Sequence, residues 1–265
     1  MLKLENKKDI ILELLDSGLN TAQIAKHLDE YQQAVRNVIK KYRPEKSFIL
    51  NQGIASTYFS KIDTNEKAYF LGFIAADGAL VKSSTGSTYE LTITIHSKDK
   101  YILEEFRSQL NCEHTVKDLN RNNLVRFSIS NKSLTNDLIN LGIVPNKSLI
   151  LDSFQNKIPN EFFNSFLLGY FDGDGSIYKT STNKYYIQIR GTKNLLEDYN
   201  KFLKLDYEIK KYDSTYNLTI GSKSNIIKFI SLYKNNNIFL NRKKEKFNSF
   251  LKEKCQDKTI SSPLT

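Results

Sequence analysis

The chain has 265 residues, and 39 Lys and Arg against 29 Asp and Glu leave a formal net charge of +10 and a pI near 9.3. With 40% hydrophobic and 12% aromatic residues but only 4 Pro and 11 Gly, a disordered or fibrous chain is excluded, and the length suits one large domain or two modest ones. The surplus of positive charge points to a polyanionic partner, nucleic acid ahead of an anionic membrane surface.

Residues 1–46 read as a small three-helix unit. Ile10, Ile11, Leu14 and Leu15 recur at helical spacing, Gly18 stops that helix, and Thr21 opens a second whose apolar face is Ile24, Ala25 and Leu28. A third helix is expected from about Tyr31 to Lys41, with Val35, Val38, Ile39 and Tyr42 inward and Gln32, Gln33, Arg36, Asn37 and Lys40 outward. The N-terminus has acids and no apolar segment, so a secretion signal is not expected and the compartment reads as cytoplasmic. Pro44 closes the unit, and residues 47–60, without periodicity, read as a linker.

The remainder contains an internal repeat. Tyr69-Phe-Leu-Gly-Phe-Ile-Ala-Ala-Asp77-Gly78 recurs 97 positions later as Phe166-Leu-Leu-Gly-Tyr-Phe-Asp-Gly-Asp174-Gly175. Each copy leads into an alternating strand, Tyr89 to His96 and Tyr185 to Arg190, then an amphipathic helix, then one more strand, Leu124 to Ser130 and Tyr216 to Ser222. The repeats are assigned to 61–152 and 153–255, with 256–265 as a tail. The longest apolar run, Phe70 to Ala76, falls far short of the roughly 20 residues of a membrane helix, so no membrane span is expected.

The repeated helix is apolar on nearly every side and carries Gly72-x-x-x-Ala76 in one copy and Gly169-x-x-x-Gly173 in the other. Small residues four apart let two backbones approach closely, so Gly72, Ala76, Gly169 and Gly173 are expected at an interface between the copies. A capping box at Asp63-Thr-Asn-Glu66 and a start at Pro159-Asn160 put Asp77 and Asp174 at the C-terminal ends of their helices. A carboxylate there meets the negative end of the helix dipole, which asks for a compensating cation. Cys112 and Cys255 stand alone and, with three scattered His, do not suit zinc; two acids brought together make an all-oxygen site suited to Mg²⁺. Beyond the helices, Leu91, Ile93 and Ile95 alternate with Glu90, Thr92, Thr94 and His96, and Ile187 and Ile189 with Tyr186, Gln188 and Arg190. Polar and basic faces of this kind suit antiparallel sheets laid along a DNA groove, and Arg126 on the next strand joins the same set.

With these residues assembled, the chain closely resembles the single-chain, two-motif LAGLIDADG homing endonucleases over about residues 60 to 250. Leu71-Gly72-x-x-Ala75-Ala76-Asp77-Gly78 and Leu168-Gly169-x-x-Asp172-Gly173-Asp174-Gly175 fit the motif; Ala75 departs from its first acid, a position usually structural in that family. The resemblance implies an α+β fold, a pseudo-twofold αββαββα domain with antiparallel DNA-binding sheets. It implies site-specific hydrolysis of both DNA strands across the minor groove by a monomer with Mg²⁺, for which Mn²⁺ would substitute, leaving 3′ overhangs at a long target. Asp77 and Asp174 become the metal ligands, and Lys132 and Lys223, after the last strand of each half, become candidate catalytic lysines. Gln188 or Arg190 would orient water in the second copy; in the first, Thr94 or His96 is on offer and the role stays open. The first 46 residues resemble the helix-turn-helix of resolvase-like and transposase-like proteins, notably at Ser17 to Lys26, and would place Gln32, Gln33, Arg36 and Asn37 at base edges with Lys40 nearer phosphate. Two alternatives stand beside the nuclease: a non-catalytic DNA-binding regulator on the same scaffold, and a maturase acting on intron RNA.

Overall fold

The computed structural model describes residues 7–17, 19, 21–43, 56–83, 86, 88–112, 114–119 and 122–259. Most of the expected linker lies outside them.

Three helices come first: α1 (Lys8–Asp16), α2 (Thr21–Leu28) and α3 (Gln32–Tyr42). Their apolar stripes close a small core of Ile11, Ile24, Ala25, Val35, Val38 and Ile39. Asp29 turns the chain between α2 and α3 at φ 53°, a left-handed conformation that Asp tolerates better than most residues. Lys7 pairs with Glu30 at 2.8 Å across the unit.

The rest is an α+β domain built twice. In the first repeat, α4 (Asn65–Asp77) runs into β1 (Gly78–Lys82), followed by β2 (Tyr89–His96), α5 (Lys100–Gln109), β3 (Lys117–Leu119), β4 (Leu124–Ile129) and α6 (Lys132–Asn140). The second repeats the order with α7 (Asn160–Asp174), β5 (Gly175–Lys179), β6 (Tyr185–Gly191), α8 (Lys193–Phe202), β7 (Ile209–Tyr212), β8 (Thr215–Ile220) and α9 (Lys223–Ile230), and adds α10 (Asn241–Thr259). Each repeat forms an antiparallel sheet, in the orders β1-β2-β4-β3 and β5-β6-β8-β7. One face of each is core, through Leu91, Ile93 and Ile95 and through Ile187 and Ile189, and the other is polar, as alternation requires.

Helices α4 and α7 lie at the centre, and their all-round apolar composition follows from burial on every side. Gly72 and Gly169 sit where the two cross: a Cβ at Gly72 would overlap Phe166 O, and one at Gly169 would overlap Tyr69 O. Gly173 faces Ala76 and lies against the Asp77 carboxylate, where an added Cβ would stand 3.2 Å from Oδ2.

Several boundaries differ from the sequence reading. Tyr58 and Phe59, placed in the linker, are buried against Phe106, so the domain begins before residue 61. Two aromatics in an aperiodic stretch carry no pattern from which to read burial. The cap of α4 is Thr64, whose hydroxyl accepts from Lys67 N at 3.2 Å, one residue later than the capping box predicted. Helix α10 runs to Thr259, through the first residues assigned to the tail. Among the described residues no helix is long and apolar enough to cross a membrane.

Candidate active site

Each motif helix passes directly into a strand: the cap residues Gly78 and Gly175 are extended, at φ −79° and −96°. Glycine is required by space here, since a Cβ at Gly78 would stand 2.7 Å from Ile74 O and one at Gly175 2.6 Å from Phe171 O. Asp77 and Asp174 therefore project from the last turn of two helices pressed together by their small residues.

The carboxylates feel one another. Burial, and then the charge of Asp174, push the Asp77 carboxyl up to about 6, against the pull of Lys243, Lys147 and Arg242. The Asp174 carboxyl is also raised by burial, opposed by the Tyr170 hydroxyl, Lys147, Lys243 and Arg190. On its open side Asp174 lines a 280 Å³ cleft with Ser176, Gln188, Arg190 and Asn217.

The lysines beside this pair are not those the sequence singled out. Lys132 and Lys223 are the exposed first residues of α6 and α9. Two buried lysines approach instead, one per repeat. Lys147 Nζ donates to Ala76 O at 3.2 Å and Gly78 O at 2.5 Å; Lys243 Nζ donates to Phe171 O, Asp172 O and Gly175 O at 2.5, 2.7 and 2.6 Å. Each ammonium thus sits on carbonyls of the turn where a motif helix passes into its strand, at the negative end of the helix dipole. The compensating cation expected at these helix ends is, at least in part, a lysine of the chain itself. Lys243 has committed all three of its N–H groups, whereas Lys147 retains one beyond its two carbonyls. Burial lowers the Lys147 pKa and brings Lys243 down to about 8, with Asp172 opposing in the latter case. Repeat arithmetic held the signal: Lys147 and Lys243 follow their acids by 70 and 69 positions.

Asp172, the motif acid that Ala75 replaces in the first copy, is fully buried away from the cleft. Its Oδ2 accepts from Tyr69 Oη and from Leu240 N, both at 2.8 Å, tying α4 and the start of α10 to α7. That start is further held by the first repeat, where Arg242 pairs with buried Asp99 at 2.9 Å and Asn241 N donates to Tyr101 Oη at 2.7 Å. Tyr69→Phe is expected to destabilise the protein by about 1 to 3 kcal/mol, since it strips a donor from a buried carboxylate. Urea unfolding with an unchanged m-value would measure this.

The polar sheet faces present the expected residues unevenly. Gln188 and Arg190 reach the Asp174 cleft, and the Arg190 guanidinium lies 4.5 Å over the Tyr212 ring. Gly78 pairs with Ile93 as Gly175 pairs with Ile189, so Thr92 holds the place of Gln188 and Thr94 that of Arg190. Thr92 bonds Ser128 at 3.1 Å, and Thr94 accepts from Arg126 Nε at 3.1 Å. The guanidinium has moved one strand over, because Arg126 pairs with Thr94 where Asn217 pairs with Arg190. His96 is turned to its own chain, with Nδ1 accepting from Lys98 N at 3.1 Å. Tyr186 stacks on Tyr178 with centroids 5.9 Å apart.

On α3, Gln33, Asn37 and Lys40 are exposed, while Gln32 and Arg36 are half-buried. Gln32 donates to Thr21 Oγ1 at 3.0 Å and Gln33 to Asn37 Oδ1 at 3.1 Å.

Two carboxylates are the whole acid complement of the site, since no group of three or more His, Cys, Asp or Glu is drawn together among the described residues. Such a set suits a hard divalent cation that takes its remaining ligands from water and phosphate. Burial first and the Asp174 charge second disfavour the ionised Asp77, and a bound cation would offset both.

Residues 161–233 match the sequence model of the family described as the LAGLIDADG-like domain. No curated protein matches the chain. Among solved structures, the meganuclease I-SmaMI bound to uncleaveable DNA is similar with a TM-score of 0.53 at 17% identity, over 74% of this chain and 93% of that one. The LAGLIDADG meganuclease I-AabMI bound to uncleaved DNA gives 0.52 at 15% identity, and the I-LtrWI LAGLIDADG homing endonuclease bound to target DNA gives 0.51 at 15%. Each of these two covers 72% of this chain and 91% of its own.

Proposed function

The chain carries a LAGLIDADG-like domain in its second repeat and the LAGLIDADG homing-endonuclease fold across both, and from this premise we propose that it is a site-specific double-strand DNA endonuclease. The observation that carries the reading is the pair of acids at the meeting ends of α4 and α7, each backed by a buried lysine. Binding by the structurally similar meganucleases to DNA, and the +10 charge of this chain, support a duplex partner. The two half-sites lie in one chain, so a monomer suffices.

In this reading the polar sheet faces bind the major groove and set the register of the duplex, bringing one phosphate of each strand to the acids. Asp77 and Asp174 would hold Mg²⁺ or Mn²⁺, which when bound supplies Lewis-acid charge at the phosphates. Gln188 and Arg190 face the Asp174 cleft and would orient water and hold a phosphate oxygen there. Lys147 and Lys243 add fixed positive charge where negative charge grows on the phosphate, and Lys147 has an N–H left to donate. The α1–α3 unit would lengthen the contacted DNA, with Gln33, Arg36, Asn37 and Lys40 toward the groove.

The test is incubation of the purified protein with DNA carrying the uninterrupted insertion locus of its own gene. Double-strand cleavage leaving 3′ overhangs is expected with Mg²⁺ and none with a chelator; intact DNA under both conditions counts against the proposal. Within this frame Lys243→Met is expected to slow cleavage by roughly 100-fold, while Lys132→Ala and Lys223→Ala stay within about threefold of the parent. Single-turnover rates on end-labelled duplex distinguish these outcomes.

A further inference from the structure

The outward face of the two sheets is built from neutral and cationic side chains. In the first sheet it presents Thr92 with Ser128 and Arg126 with Lys117; the second presents Gln188 with Thr219 and Asn217 with Lys210. Glu90 is the exception. By alternation it shares the face of Thr92 and Thr94, and it is the sole carboxylate among the described strand residues of that face. Asp118, the other strand acid of the first sheet, pairs in register with buried Val125 on the opposite face and bonds Lys100. Across from Glu90 stands Val81, half exposed and without charge. No hydrogen bond or ion pair engages the Glu90 carboxylate among the described residues, so a role in holding the sheet together does not account for it.

On a surface that meets a polyanion, an unpaired carboxylate repels phosphate and lowers affinity for every sequence alike unless it finds a donor. The major groove offers two donors, the amino groups of cytosine and adenine. Adenine sets an acceptor, N7, beside its amino group and so repels a carboxylate; cytosine does not. We propose that Glu90 is a specificity-determining residue that accepts a hydrogen bond from a cytosine amino group in the half-site bound by the first repeat. The exposed methyls of Val81 lie in the same row and suit contact with a pyrimidine edge. This row stands about 13 Å along the chain from Asp77, four residues on, so the cytosine lies outside the base pairs next to the cut. The matching row of the second sheet is the stacked pair Tyr178 and Tyr186, which carries no acceptor of this kind. The requirement therefore falls in one half-site, and the target is asymmetric at that position.

The inference rests on the DNA-binding reading and is tested without cleavage. Duplexes are selected from a randomised pool in EDTA by the full chain and by Glu90→Gln, which keeps shape and removes charge. The parent is expected to enrich C at one position of one half-site and to prefer that duplex over its A variant by roughly 5- to 100-fold. Glu90→Gln should move the preference toward A, because an amide pairs with adenine N6 and N7, and Glu90→Ala should lose it without replacement. Tighter binding of both variants to all sequences, with the parent's preferences intact, would show that the carboxylate only repels and would overturn the assignment. If the parent enriched no sequence at all, the DNA-binding reading would fall with it.

Discussion

Asp77→Asn is expected to remove cleavage and, in the metal-free protein at neutral pH, to raise stability. Burial and the Asp174 charge lift the Asp77 carboxyl to about 6 in the folded state, against about 3.9 in an unfolded chain. The folded protein thus holds this proton more tightly than the unfolded one, so ionisation of Asp77 costs stability progressively as pH rises from about 4 through 6, and by a constant amount above. Two units correspond to about 3 kcal/mol; because the residue is partly open to solvent, a gain on the order of 1 to 2 kcal/mol is expected from the amide. Melting in chelator at pH 4, 6 and 8 should show parent and variant converging at the acid end and the variant ahead at pH 8. Adding Mg²⁺ at pH 8 should stabilise the parent and leave the variant little changed, since only the parent retains both ligands. Cleavage by Asp77→Asn should fall by at least about 100-fold, with DNA affinity nearly preserved, because groove and phosphate contacts carry binding. Nicking at the parent rate, or a variant that melts earlier at pH 8, would count against the acid pair.

The second large effect is on the junction of the repeats. Gly169→Ala places a methyl on Tyr69 O and within 3.0 Å of Phe73 N, both backbone atoms of a helix buried on every side. Neither can move without parting α4 from α7, and the reciprocal contact at Gly72 with Phe166 O and Tyr170 N leaves no slack on the other side. A loss of about 3 kcal/mol is expected, at the upper end of overpacking effects and equivalent to a fall in Tm of roughly 6 to 12 °C for a chain of this size. Calorimetry measures it. Cleavage below the new Tm should fall as well, because the same contact sets the separation of Asp77 and Asp174. A variant with parental Tm would mean that the helices are not in close contact at this glycine.

The repeat, its strands and the helix junction were legible because burial leaves periodic marks. Leu91, Ile93 and Ile95 announce a sheet with one core face, and the unbroken apolar stretch from Tyr69 to Ala75 announces a central helix. Strands β3 and β7 were not read from the residues, because Lys117 to Leu119 and Ile209 to Tyr212 are short edge strands with mainly charged or exposed side chains. Their pairing is decided by the partner strands β4 and β8.

The lysines mark the limit most clearly. Lys147 follows Pro145-Asn146, and Lys243 stands in the run Arg242-Lys243-Lys244, contexts that look like solvated surface. Only folding shows that both are buried on the carbonyls ending α4 and α7, while Lys132 and Lys223 stay exposed.

By itself, then, the sequence determined the duplication, the apolar helices with small residues at their crossing, the one-sided sheets and the placing of an acid at each helix end, because these depend on local period and residue size. Tertiary structure decided which lysine sits on the carbonyls at the end of each motif helix, which strand presents an arginine in each half, and that Asp172 turns inward to Tyr69 and Leu240. These depend on which unpaired carbonyl or carboxylate comes within reach of which donor once the two helices meet, and distance along the chain does not encode that reach.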